Sequence, residues 1–173
     1  MNQKVGLVYS NTIFLYQSTG KERIIYKNKN QLKGMAFKEL LSNYILSLET
    51  VVIRRECLNN LTEWFDKRFN VIQEADLFIR IAHDWEVDYV HEPLAKWRVH
   101  SESCSWTKTG LFGKELKIML DKYRQLYNDF DLKYKKEIGK VEARIAYYEA
   151  MEEWKHRRNK KVSQIIAPHI FTK

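Results

Sequence analysis

Three short runs near the start, residues 5–9, 12–17 and 23–27, are rich in β-branched and aromatic side chains and predict strands. Ser18-Thr19-Gly20-Lys21 supplies turn chemistry between the last two, so a small meander is expected. Residues 35–48 then carry Phe37, Leu40, Leu41, Tyr44, Ile45 and Leu48 at helical spacing. A strand over 50–54 and a helix around 58–64 follow. The next helix spans 74–83. Residues 85–90 alternate Trp85, Val87 and Tyr89 against Glu86 and Asp88, the signature of a strand, and 95–100 predicts another.

Beyond Gly110 the pattern changes. Phe112, Leu116, Met119, Tyr123, Leu126 and Phe130 fall at alternating spacings of four and three, a heptad seam on a helix. A second helix over 135–159 carries Ile138, Val141, Ile145, Tyr148 and Met151 on one face. A helical hairpin broken near residues 128–131 is the preferred picture, and a homodimer seam through the same face is the alternative. The residues around Pro168 are expected to form a loosely held tail. The expected class is therefore mixed α/β, with an α and β part over 1–109 and a helical tail over 110–173.

Composition narrows the picture. Of 173 residues, 45% are hydrophobic and 13% aromatic, which is globular composition and excludes a disordered chain. No apolar run reaches the roughly 18 residues that cross a bilayer, and the first residues carry no basic-then-apolar signal, so a cytoplasmic protein is expected. Cys57 and Cys104 stand in no CxxC spacing and are read as reduced structural thiols. The formal charge of +8 is partly local, concentrated in Lys155-His156-Arg157-Arg158-Asn159-Lys160-Lys161. A solvated helix end explains that run most simply; an acidic lipid surface or a nucleic acid is the functional alternative.

Candidate chemistry gathers in two places. Glu74 precedes Leu77, Phe78 and Ile81 by three, four and seven residues, which puts it on the apolar stripe of the 74–83 helix. An acid at the edge of a buried stripe can serve as a general base. Asp76 stands four residues before Arg80, the spacing of an intrahelical ion pair, although acids favour any helix start through the dipole. Arg98 and His100 alternate with Trp97 and Val99, so they project from one strand face about 7 Å apart. An arginine fork suits phosphate, and a neutral imidazole can ligate a divalent metal or protonate a leaving diphosphate. The same two residues also fit an exposed strand end. The chain contains no phosphate-cradling glycine loop, nucleophile elbow or zincin motif, so kinase and hydrolase readings gain no support.

Gln73-Glu74-Ala75-Asp76-Leu77, together with the proline-leucine turn at Pro93-Leu94 and the Arg98-x-His100-x-x-Ser103 ending, resembles a family 2 inverting glycosyltransferase of the GT-A fold. The likeness runs from about Val5 to Ser105 and corresponds to the carboxyl-terminal half of that family's nucleotide-diphospho-sugar transferase sheet, here followed by the helical hairpin. It implies sugar transfer from a nucleotide-sugar donor to a glycan or lipid-linked acceptor hydroxyl, in cell-surface polysaccharide or glycan synthesis. Registered on Asp76-Leu77, Glu74 falls at the base position, where the family usually has Asp, and Ala75 replaces an aromatic residue. Glu74 and Asp76 both remain candidates for the base. His100 would approach the metal or the donor diphosphate, with Arg98 in support, and a divalent manganese or magnesium ion would complete the centre. The family's amino-terminal half has no counterpart here, so a fragment inactive by itself is expected.

A rival reading from another class is a non-catalytic interaction domain whose basic helical tail binds nucleic acid or acidic membrane. Within the transferase reading, peripheral contact at the inner membrane face is compatible with the basic run, and nucleic acid is not the expected partner.

Overall fold

The computed structural model describes residues 2–27, 31–103 and 107–170. They form two compact units, one of 1–66 with 73–103, the other of 67–72 with 104–173. Cys104, read above as a structural thiol, lies outside the described residues, as does Ser105.

The first unit is built on one long strand. Strand β1, Val5–Tyr16, is flanked on one side by β2, Glu22–Ile24, and β3, Val52–Ile53, both antiparallel to it. On its other side runs β4, Glu86–Val99, parallel to β1 from Val5↔Glu86 to Tyr16↔Val99. A parallel neighbour needs a long crossover, and the intervening chain supplies it with helices α1, Phe37–Ser42, and α2, Gln73–Asp84. Leu7, Tyr9, Phe37, Leu40, Leu41, Leu77, Phe78, Ile81, Val87 and Tyr89 are buried in this unit. Trp85 and Cys57 pack so closely over Gly6 that an added Cβ would lie 2.5 Å from the Trp85 Cβ and 2.6 Å from the Cys57 sulfur. Burial pushes the Cys57 thiol up, which suits a structural thiol and not a nucleophile.

Several elements differ from the expectation, each for a local reason. The first two runs form one strand, and so do 85–90 and 95–100. The join falls where the register slips, at Asn11 opposite Pro93. Proline brings no N–H to the ladder, and the Asn11 side chain ties β1 to the chain after β2: its Oδ1 accepts from the amides of Thr12 (2.9 Å) and Tyr26 (3.1 Å), and its Nδ2 donates to the Tyr26 carbonyl at 2.8 Å. The helix expected to Leu48 stops at Ser42, because Asn43 turns extended (φ −151, ψ 91) and the Tyr26 hydroxyl donates to the Ile45 carbonyl just beyond. The strand expected over 50–54 is reduced to Val52–Ile53, preceded by a 3-10 turn at Leu48–Thr50. The helix expected around 58–64 is replaced by a 3-10 turn at Arg55–Leu58. The carbonyls of Glu63 and Trp64 are taken by the Arg80 guanidinium, so they are not left to helical amides.

The second unit is helical: α3, Thr109–Leu126; α4, Phe130–Lys133; α5, Lys135–Lys155; and α6, Asn159–Ile170. Helices α3 and α5 run as a hairpin, with Phe112 stacked on Tyr148 at 5.2 Å and Lys117 paired with Glu149. Gly113 allows the close approach, since a Cβ there would lie 3.3 Å from the Tyr148 Cβ. Of the predicted seam, Leu116, Met119, Tyr123 and Phe130 are buried against Ile138, Val141 and Ile145, whereas Leu126 is exposed. The break comes at Asp129, in left-handed conformation at φ 56. The tail expected to be loose around Pro168 is helical in α6, which packs on α5. Residues 67–72 join this unit through Glu115 of α3, whose carboxylate accepts the backbone N–H groups of Asn70 and Val71 at 2.9 Å and of Ile72 at 3.2 Å. Among the described residues no helix is long and apolar enough to cross a membrane.

Candidate functional site

Helix α2 begins at Gln73 with Glu74 and Asp76 in its first turn, where carboxylates complement the positive end of the helix dipole. Its side chains are buried from Ala75 through Ala82, so the single inward stripe expected from the sequence is wider in the folded chain. The two acids consequently differ from that expectation in depth. Asp76 is the fully buried one, 0% exposed, and Arg80 is 4% exposed. Arg80 donates through Nε to Asp76 Oδ2 at 3.1 Å and holds the same oxygen at 2.9 Å through a terminal nitrogen. The guanidinium also donates to the carbonyls of Glu63 at 2.9 Å and Trp64 at 2.8 Å. The pair thus ties the start of α2 to the chain that passes beside it.

Glu74 is only half-buried. Its charge lies near the Tyr44 hydroxyl, whose pKa is driven far above the ordinary tyrosine range, first by burial and then by Glu74. The Tyr44 hydroxyl and Oε1 of Gln73, the residue before Glu74 in sequence, are buried without a hydrogen-bond partner among the described residues. A buried polar atom left unpaired costs about 1–3 kcal/mol, so its retention calls for an explanation. Behind Tyr44 stands a ring cluster, with Tyr9 4.9 Å from Tyr89 and Tyr26 6.1 Å from Tyr89. The Tyr9 hydroxyl donates to the Leu32 carbonyl at 3.2 Å.

Arg98 and His100 belong to the other end of β4. Arg98 is exposed, in register with Leu15, and His100 lies half-buried just past the strand. Tyr89, inside the ring cluster, precedes Arg98 by about 30 Å of extended chain at a rise of about 3.3 Å per residue. The four predicted residues therefore fall into two groups, Glu74 with Asp76 on one helix turn and Arg98 with His100 at a strand end. No group of three or more His, Cys, Asp or Glu able to hold a metal occurs among the described residues.

Tyr44 is the residue that sequence reasoning missed. Helical spacing assigned it to an apolar stripe, whereas the helix ends before it, at Ser42, and its buried hydroxyl lies near the Glu74 charge. Glu49 is a second: its carboxylate accepts from the Thr12 hydroxyl at 2.9 Å, and the same hydroxyl lies 3.1 Å from the Ala95 carbonyl. No family model matches the chain, and neither does any curated protein or solved structure.

Proposed function

We propose that this chain carries the acceptor side of an inverting glycosyl transfer, with Glu74 as the base. The observation that carries the reading is the division of labour in the first turn of α2. Asp76 is fully buried with its Oδ2 held by Arg80, while Glu74 is half-buried with its charge near the unpaired Tyr44 hydroxyl. An incoming acceptor hydroxyl would find there a carboxylate to take its proton and the Tyr44 hydroxyl to orient it. The resemblance of Gln73-Glu74-Ala75-Asp76-Leu77 to the family 2 acidic motif supports the same assignment.

In the proposed reaction the Glu74 carboxylate takes the acceptor proton as that oxygen bonds to the anomeric carbon of a nucleotide sugar. The bond from that carbon to the diphosphate breaks on the opposite face, so configuration inverts and a nucleoside diphosphate leaves. Arg98 and His100 enter only as groups able to contact phosphate. The resemblance implies a divalent metal, and no group of three or more His, Cys, Asp or Glu able to hold one occurs among the described residues.

The test is sugar transfer from a panel of nucleotide sugars by the full gene product, followed in two variants. Glu74→Gln should lower kcat by about 10²–10⁴-fold with the urea midpoint unchanged, whereas Asp76→Asn should lower the urea midpoint. Transfer that survives Glu74→Gln at the original rate would remove Glu74 as the base, and absence of transfer with every donor would remove the transferase reading.

A further inference from the structure

The outward face of α5 has a composition that folding does not require. Tyr147 and Trp154 stand two helical turns apart on one line, 58% and 65% exposed. Lys136 and Lys140 precede Tyr147 by eleven and seven residues and fall on the same line at 100° per residue. Apart from Glu137 in its first turn, the acids of α5 lie elsewhere. Glu142, Glu149, Glu152 and Glu153 line the clefts beside α3 and α6, and Glu149, Glu152 and Glu153 are paired with Lys117, Lys155 and Arg158. Just past the helix, Arg157 and Lys160 are exposed and form no ion pair among the described residues, whereas Lys161 lines the cleft that holds Glu149, Glu152 and Glu153. The result is a convex strip with two amphipathic aromatic rings and unneutralised cations along it.

We propose that this strip, from Lys136 to Lys160, docks on an anionic lipid bilayer. Tryptophan and tyrosine favour the boundary between headgroups and acyl chains, where the ring is sheltered and its polar tip stays wet. Lysines and arginines beside them gain energy from acidic headgroups. A flat bilayer accepts a convex helix along its whole length. A nucleic acid fits less well: the two rings are about 10 Å apart along the axis at 1.5 Å per residue, too far to stack on adjacent bases, and the strip offers no groove that tracks a phosphate backbone. The inference does not depend on the transferase reading.

The experiment is co-sedimentation of the 173-residue chain with vesicles of phosphatidylcholine alone and of phosphatidylcholine with phosphatidylglycerol, with single-stranded RNA as a parallel probe. Binding is expected only to the anionic vesicles, and salt should weaken it. Replacing Lys136 and Lys140 by Gln should lower the partition coefficient about thirtyfold, taking about 1 kcal/mol for each cation near the surface. Trp154→Ser should weaken binding in high salt more than the lysine pair does, because it removes the apolar contact. These side chains are exposed, so an unchanged circular dichroism spectrum is expected; should Trp154→Ser unfold, Tyr147→Ser tests the same point. Equal binding to neutral vesicles, no binding to either, wild-type binding by the lysine variant, or capture of RNA with vesicles ignored would each overturn the proposal.

Discussion

Two buried charged side chains, Glu115 and Arg80, replace backbone hydrogen bonds that no helix or sheet supplies. Glu115 is 3% exposed and collects three consecutive amides from residues 70–72. Removing it leaves the buried Ile72 amide and its neighbours unpaired, so Glu115→Ala should cost about 3 kcal/mol in urea denaturation; a change under about 0.5 kcal/mol, the range of ordinary surface substitutions, would contradict this geometry. Arg80 neutralises Asp76 and caps two carbonyls. Arg80→Met strands a buried carboxylate and should cost about 3–5 kcal/mol by the same measurement. The Asp76–Arg80 pair was legible from its spacing of four. Its burial was not, since spacing says which residues meet and nothing about what covers them. The use of Glu115 could not be read at all, because its partners are more than forty residues away and are backbone groups of any sequence.

The helices show how far periodicity carries. Helix α2 lies within one residue of its expected bounds, and α5 starts where expected but ends earlier, at Lys155. That end is a left-handed cap: Arg157 sits at φ 58, its amide donates to the Trp154 carbonyl at 2.8 Å, and the Arg158 amide reaches the Glu153 carbonyl at 2.9 Å. Glycine is the usual occupant of such a position, so its absence hid the boundary. An L side chain there costs about 1–2 kcal/mol, part of which glycine loses again to unfolded-chain entropy. Arg157→Gly should therefore raise stability by about 0.5–1 kcal/mol, read as a higher thermal midpoint. Strands were less legible than helices. The union of two runs into β1 and of two into β4 rests on pairing between residues some eighty positions apart.

At the scale of the whole chain, the tyrosines set the response to alkali. Burial is the main cause that pushes Tyr26 up to about 12 and carries Tyr9 and Tyr44 higher still. Each raised group contributes stability that is complete below the unfolded tyrosine pKa of about 10 and is lost as pH rises through the folded value. Unfolding should begin above about pH 10, with tyrosinate absorbance for these residues rising together with the loss of circular dichroism. Free titration of all ten tyrosines before any unfolding would contradict the buried cluster. By itself, the sequence determined what is local: the mixed α and β character, the helices α2, α3 and α5, the break near Asp129 and the acidic turn, because helical periodicity and turn chemistry act over a few residues. Only the tertiary structure decided the parallel pairing of β1 with β4, the stapling of 67–72 by Glu115, which acid is buried, and the placing of the Tyr44 hydroxyl near the Glu74 charge. Those depend on hydrogen bonds and burial between residues distant in the chain, which no local pattern encodes.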